Sequence, residues 1–305
     1  MKNFFAKLDH RGALRICGPD ARQFLQGQTT CDIEQLSLGN SLNGAFCNPQ
    51  GRMLCDFRVL ALEEDDLLLL MQADLCEPTL EAVNKYLAFS RAEMTIASAD
   101  WLQLGICGAD AAELTGVDLQ HRDQVELRDH AYYLRADEQG QRLEVVAPLA
   151  QQDALLQQLL EYIPEQADLA YRKTEIEAGL AHVTAATAGQ FLPQMLNYQH
   201  TGHLSFSKGC YTGQEVVARM HYKGKVKRPL LLASIASGDI AAAGTALYAS
   251  GGTQSIGQVV NAAGDTDQTL LLVSVARPDS DAAIHLGNHS GPLLHFLPLP
   301  YSLDN

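Results

Sequence analysis

Positive charge is scarce in this chain. Lys and Arg number 22 against 36 Asp and Glu, a formal net charge of -14 with histidine neutral. The broad basic face that releases counterions from a phosphate backbone is therefore lacking, and direct nucleic-acid binding is not expected. Paired cysteines are lacking too. Cys17, Cys31, Cys47, Cys55, Cys76, Cys107 and Cys210 are odd in number, scattered and never in C-x-x-C spacing, which argues against a disulfide framework and against a self-contained metal site. Any iron–sulfur connection would have to come through a partner or a cluster shared between chains. The longest purely aliphatic run, residues 67–71, is far below the roughly 20 residues that span a bilayer. The start, M-K-N-F-F-A-K-L-D-H, has no apolar h-region, so a cytoplasmic protein without membrane association is expected. No G-x-G-x-x-G follows a strand and no Walker loop occurs.

What is present is an ordinary globular composition, 47% hydrophobic and 19% charged over 305 residues, enough for two or three domains with real cores. A near-repeat organises the first part: I-C-G-P-D-A-R-Q-F-L-Q-G at 16–27 returns as I-C-G-A-D-A-A-E-L-T-G at 106–116. Each copy follows a short apolar strand and reads as strand, Gly turn and helix, with Asp20 or Asp110 in the helix's first turn, where a carboxylate suits the dipole. Two similar α+β units are expected, as is the alternative of two independently common strand-to-helix turns. Further strands are predicted at 57–62, 67–72, 132–136 and 143–146, and helices at 80–91, 149–162 and 171–178. No strict βαβ rhythm links them, which favours α+β. After Arg228-Pro229 the runs 229–236, 256–260 and 270–276 are β-rich, separated by turns such as A-S-G-G-T and A-A-G-D-T-D, the pattern of a small antiparallel barrel or sandwich. The expected domains are 1–227, two interleaved α+β domains, and 228–305, a C-terminal barrel.

Residues 208–219 read K-G-C-Y-T-G-Q-E-V-V-A-R. Thr212 and Glu215 stand in the S/T-x-x-E relation of a capping box, so Thr212 is the predicted N-cap of a helix with Val216, Val217 and Met220 on its apolar face. Cys210 then lies just outside a helix N-terminus, with Lys208 adding a full charge. Both favour the thiolate relative to the reference pKa of about 8.5. The plainer reading is a small residue in a tight turn. His200 and His203 are candidate bases toward Cys210 or simply packing residues, and no carboxylate at suitable spacing completes a triad, which disfavours hydrolase chemistry. The one basic cluster, K-G-K-V-K-R at 223–228, suits either an anionic ligand or a solvated interdomain linker.

The motif K-G-C-Y-T-G-Q-E resembles the signature of the YgfZ-type folate-binding proteins, relatives of the glycine-cleavage aminomethyltransferase, or T-protein. The likeness extends through F-L-Q-G-Q-T-T-C-D (24–32), N-P-Q-G-R-M-L-C-D-F-R (48–58), E-I-E-A-G-L (175–180), G-Q-F-L-P-Q-M-L-N (189–197) and L-P-L-P-Y-S-L (297–303), in the family's order. It implies a T-protein-like three-domain architecture, with two ferredoxin-like α+β units and a C-terminal antiparallel β-barrel. It also implies tetrahydrofolate binding and support of iron–sulfur enzyme assembly or repair, reaching tRNA thio-modification through a client such as a radical tRNA thiolase. An accessory protein is implied more than an enzyme. The alternative is a folate-dependent aminomethyl or one-carbon transferase of T-protein type.

Residue by residue, Cys210 becomes the functional thiol and Lys208 its charge partner. Glu177 falls where the T-protein relatives carry the pterin-binding Glu of their L-E-A-G segment, and a carboxylate accepts paired N–H bonds from such an edge. Tyr171 stands where folate-binding relatives carry a tryptophan and is read either as a stacking platform or as core. Arg11 replaces a second aromatic of the family, so that contact is lost or a guanidinium stacks instead. Gln194 and Asn197 offer amides to the ligand or tie down their loop.

Overall fold

The computed structural model describes residues 2–109, 111–236, 241–264, 268–276 and 283–303. Two positions singled out in the sequence, Asp110 and part of the turn A-A-G-D-T-D at 265–267, lie outside the described residues. The chain forms two compact units, Met1–Gly44 with Phe57–Tyr171 and Ala45–Asp56 with Arg172–Asn305.

The first unit opens with β1 (Phe4–Lys7) and β2 (Arg11–Cys17), followed by α1 (Ala21–Gln28). Ala21, Phe24 and Leu25, at spacings of three and four, form the buried face of α1. The hairpin β3 (Ser41–Cys47) and β4 (Met53–Glu63) follows, then β5 (Asp66–Gln72), α2 (Cys76–Leu87) and β6 (Glu93–Ile96). The same order then recurs: β7 (Trp101–Cys107), α3 (Ala111–Thr115), β8 (Val125–Arg128), β9 (Ala131–Arg135), β10 (Arg142–Pro148), α4 (Gln152–Leu160) and β11 (Glu165–Gln166). The two sheets run β3-β4-β5-β2-β6 and β8-β9-β10-β7-β1-β11, so the second repeats the first with β1 inserted between β7 and β11. In both copies of the near-repeat the strand ends on a Cys and the chain turns at a glycine of positive φ, Gly18 at 120° and Gly108 at 143°. Apolar side chains of both sheets, including Leu60, Leu68, Leu70, Val125, Leu134 and Val146, share one cluster. A second lies between β7, β10, α3 and α4. The run L-L-L-L-M in β5 is continuous rather than alternating because both faces of that strand are covered.

The hairpin belongs to both units: its tip, Ala45–Asp56, is part of the second. There Met53 N–H donates to Phe191 O (2.9 Å) and Gly189 N–H to Met53 O (2.7 Å). Among the described residues, the rest of this unit comprises the greater part of α5 (Asp168–Glu177), a 3-10 turn at Pro193–Leu196, α6 (Gln214–Lys223) and six strands: β12 (Leu230–Ile235), β13 (Ala246–Ala249), β14 (Ser255–Gly264), β15 (Thr269–Val275), β16 (Ile284–Leu286) and β17 (His295–Leu297). These strands form one antiparallel sheet in the order β16-β13-β14-β15-β12-β17. It curls into a half-barrel: Leu286 and Leu294 bond across to Pro292 and Ile284, while β17, immediately after, pairs with β12 at the opposite edge. Its concave core includes Leu231, Val259, Leu271, Val273 and Ile284.

The protein is thus a sheet-rich α+β fold with a curled antiparallel C-terminal sheet, as the sequence led one to expect. Among the described residues no helix is long and apolar enough to cross a membrane. Boundaries moved where packing decided them: the helix predicted at 80–91 runs Cys76–Leu87, and that at 149–162 shortens to α4 behind a 3-10 turn at Leu149–Gln151.

Candidate functional site

In the second unit, motifs far apart in sequence meet around α6. The turn at 48–52 is built by Asn48, whose side-chain oxygen accepts the N–H groups of Gln50 and Arg52 (both 3.0 Å). Gly51 of this turn sits under Val216 of α6, so that a Cβ there would lie 3.0 Å from the valine's Cβ. The predicted N-cap, Thr212, is not the cap. Gly213 holds that place in the left-handed region (φ 85°), without a side-chain cap. The reason is tertiary: a Cβ at Gly213 would stand 2.5 Å from Asn48 O and 2.9 Å from the Gly51 Cα. From the 3-10 turn, Gln194 donates its amide to Val217 O of α6 (2.7 Å). Asn197, left-handed at φ 59°, donates to Leu230 O (3.1 Å) and toward the Tyr301 hydroxyl (3.4 Å). Tyr301 donates to Gly179 O (2.9 Å). Residues from N-P-Q-G-R, E-A-G-L, G-Q-F-L-P-Q-M-L-N, K-G-C-Y-T-G-Q-E and L-P-L-P-Y-S-L are thereby linked within one unit.

Cys210 lies in the loop before α6 and is the one exposed cysteine of the seven. Burial, by contrast, pushes the Cys47 thiol up to about 12. Lys208 is buried, with its ammonium 5.3 Å from the centroid of the Tyr211 ring. His203 is buried, stacked on Tyr198 at 4.2 Å, with Nδ1 2.9 Å from Thr201 Oγ1. His200 stacks more distantly on Tyr301.

A second constellation in this unit was not singled out in the sequence. Asp56, buried on β4, accepts Val183 N–H at 2.6 Å and lies 2.7 Å from His182 Nδ1. On the far side of the imidazole, Nε2 is 3.4 Å from Glu175 Oε1. Burial alone would lower the His182 pKa, but the fields of Asp56 and Glu175 outweigh it and raise it to about 10, so the ring is an imidazolium. For Asp56 burial pushes upward, and the charge of His182 outweighs it and holds the pKa below the ordinary value. The imidazolium thus lies between two buried carboxylates, and such pairing is the condition under which buried charges persist.

The first unit carries its own buried charge network. Arg58 Nη1 bonds Asp123 (2.9 Å) and Ser41 (3.1 Å), and its Nε lies 3.4 Å from Glu144. Glu144 also meets Arg11 at 3.1 Å and accepts the Tyr171 hydroxyl at 3.2 Å. The Tyr171 ring is fully buried on Gly105, where any Cβ would fall 2.2 Å from it.

Residues 6–147 match the family model described as GCVT N-terminal domain. The match covers a little under half of the chain. The chain superposes on the glycine cleavage system aminomethyltransferase T of Bartonella henselae with a TM-score of 0.73, covering 99% of this chain and 86% of that one at 18% identity. That is a likeness of fold, and the fold is T-protein-like. A heterotetrameric sarcosine oxidase from Corynebacterium sp. U-96 aligns with a TM-score of 0.39 at 15% identity, over 52% of this chain and 82% of that one.

Arg11, Arg58, Asp123 and Glu144 fall inside the matched stretch, whereas Tyr171, Glu177, Gln194, Asn197, Lys208 and Cys210 lie beyond it. Of the residues singled out in the sequence, Arg11 and Tyr171 converge on Glu144. Gln194 and Asn197 spend their amide donors on backbone carbonyls. Glu177 is exposed at the end of α5, while Glu175 of the same motif is buried against His182. Asp56 stood in the quoted segment N-P-Q-G-R-M-L-C-D-F-R, and the signal that marks it is a charge in the middle of an otherwise buried strand.

Proposed function

We propose that this protein is a tetrahydrofolate-binding accessory factor of the cytoplasm. In this reading it supports assembly or repair of iron–sulfur enzymes, and through a client such as a radical tRNA thiolase it supports tRNA thio-modification, with Cys210 as its working thiol. The observation that carries the reading is the exposure of Cys210, alone among seven cysteines, on a loop anchored by Gly213 against the Asn48–Gly51 turn. The fold supports a folate ligand at the level of the family. The exposed carboxylate of Glu177 suits the donor edge of a pterin, which offers paired N–H groups. Folate would supply the one-carbon chemistry; the chain's own part is to hold the pterin by Glu177 and to present the thiol. Tyr171 and Arg11 serve the reading as anchors of Glu144 in the first unit.

Two substitutions separate the roles. Cys210→Ser should abolish support of tRNA thiolation in cells while calorimetry on the purified protein finds tetrahydrofolate affinity unchanged; normal thiolation would overturn the thiol role. Glu177→Gln should weaken tetrahydrofolate about tenfold, the loss of a charge-assisted pair, and unaltered affinity would remove Glu177 from the folate contact.

A one-carbon transferase of T-protein type is the second reading, favoured by the likeness of fold to an aminomethyltransferase. Such chemistry needs a base free to move a proton beside the bound one-carbon unit. Asp56 is ionised, but its oxygens are engaged by His182 and the Val183 N–H. Turnover of an aminomethyl donor by the purified protein with tetrahydrofolate would replace the accessory reading with this one.

A further inference from the structure

The second unit contains a pocket of about 340 Å³ whose wall includes Arg52, Gln190, Phe191, Met195, Arg228 and Gln258. Its walls are tied together by hydrogen bonds. Arg52 Nη1 donates to Gln190 O, Gln258 Nε2 donates to Gln190 Oε1 at 2.6 Å, and Gln190 Nε2 donates to Ala186 O at 2.7 Å. Ser274, also on the wall, bonds the backbone carbonyl of Arg228 at 2.9 Å. The turn at 48–52, the 189–195 segment and strands β14 and β15 are therefore fixed around the space, as a preorganised site requires.

Charge gives the pocket its chemistry. In a chain of net charge -14, neither Arg52 nor Arg228 has a carboxylate partner among the described residues: Arg52 meets only the Gln190 carbonyl, and no ion pair engages the Arg228 guanidinium. Arg228 closes the basic cluster 223–228, whose Lys223, Lys225 and Lys227 are likewise exposed. A guanidinium presents a planar fork that matches a carboxylate or phosphate. Phe191, buried, and Met195, half-buried, add an apolar wall, which a bare inorganic ion does not use and an organic body does.

We propose that this pocket binds a small organic carboxylate, its charged head on Arg52 and Arg228 and its apolar body against Phe191 and Met195. The site is independent of Cys210 and Glu177, so it stands or falls apart from the folate and thiol reading. The test uses the full chain labelled with 13C in the methionine methyl groups, titrated with benzoate, with neutral benzamide and with inorganic phosphate. The Met195 resonance, assigned through Met195→Leu, should shift saturably with benzoate, little with benzamide, and with phosphate only at higher concentration. Raising the salt should weaken benzoate binding. Arg52→Gln and Arg228→Gln should each weaken benzoate about tenfold, the worth of one charge-assisted pair, while the methyl signals of Met71 and Met94 in the first unit stay in place as a control of folding. No saturable shift, equal binding of benzamide, phosphate binding as tight as benzoate, or unchanged affinity in both folded variants would overturn the proposal.

Discussion

His182 has a charge-compensating role that a residue-level experiment can isolate. Its folded pKa is raised from an ordinary 6.5 to about 10, so the stability it contributes is fully present below pH 6.5 and is lost as the pH rises through 10. The Asp56 pKa is lowered from 3.8, so on the acid side the contribution is lost as the pH falls below that value. His182→Leu removes the imidazolium that Asp56 and Glu175 share, which should cost about 3–5 kcal/mol near neutrality. The gap between the wild-type and variant urea midpoints should then close toward pH 10, where the wild-type ring also loses its proton. A gap that is constant with pH would show that packing, and not charge, is what the imidazole supplies. The motif E-I-E-A-G-L drew attention to Glu177, yet Glu175 is the carboxylate that points inward. Residues two apart on a helix lie about 200° apart, so resemblance locates the motif without saying which carboxylate faces the interior. Nor could pattern alone pair Asp56 with His182, since the contact exists only because β4 and the segment after α5 are brought together by the fold.

At the scale of elements, the strands were read with little error because their signal is local: the predicted runs 57–62, 67–72, 132–136 and 143–146 all fall within or overlap observed strands. Helix ends were less legible. The start of α6 carries the sequence of a capping box, but its geometry is set by the turn at 48–52, more than 150 residues away in the chain. Gly213→Ala makes this testable. The substitution forces a Cβ onto the Asn48 carbonyl at a φ of 85°, a conformation that costs an L-residue about 1–2 kcal/mol before the clash is counted. The variant should lose at least that much stability in urea, with hydrogen exchange accelerating first in α6. Thr212→Ala, at the position the sequence nominates, should cost less than Gly213→Ala, because Thr212 does not cap α6. If Thr212→Ala proved the more damaging of the two, the capping box would be operating after all.

For the whole molecule, the sequence disclosed a repeated α+β pattern and a β-rich tail, because composition and turn spacing change audibly along the chain. It did not disclose that a hairpin tip near the N-terminus completes the second unit, since no periodicity in residues 45–56 announces a long-range partner. The consequence is energetic. Without Ala45–Asp56 the remainder of the unit, Arg172–Asn305, loses the Met53 bonds to Gly189 and Phe191, the Gly51 seat of Val216 and the Asp56 counter-charge of His182. The half-barrel has its own apolar cluster, with Val259, Leu271 and Val273 fully buried, and does not draw on those contacts. A fragment comprising residues 172–305 should therefore give dispersed amide signals for β12 to β17 but collapsed signals and rapid proteolysis before residue 229. A synthetic 45–56 peptide added in trans should restore protection there at millimolar concentration, since association must now offset lost translational freedom. A fragment whose α6 is already protected without the peptide would mean that the helix is held by the half-barrel side alone, and that the hairpin tip is dispensable to it.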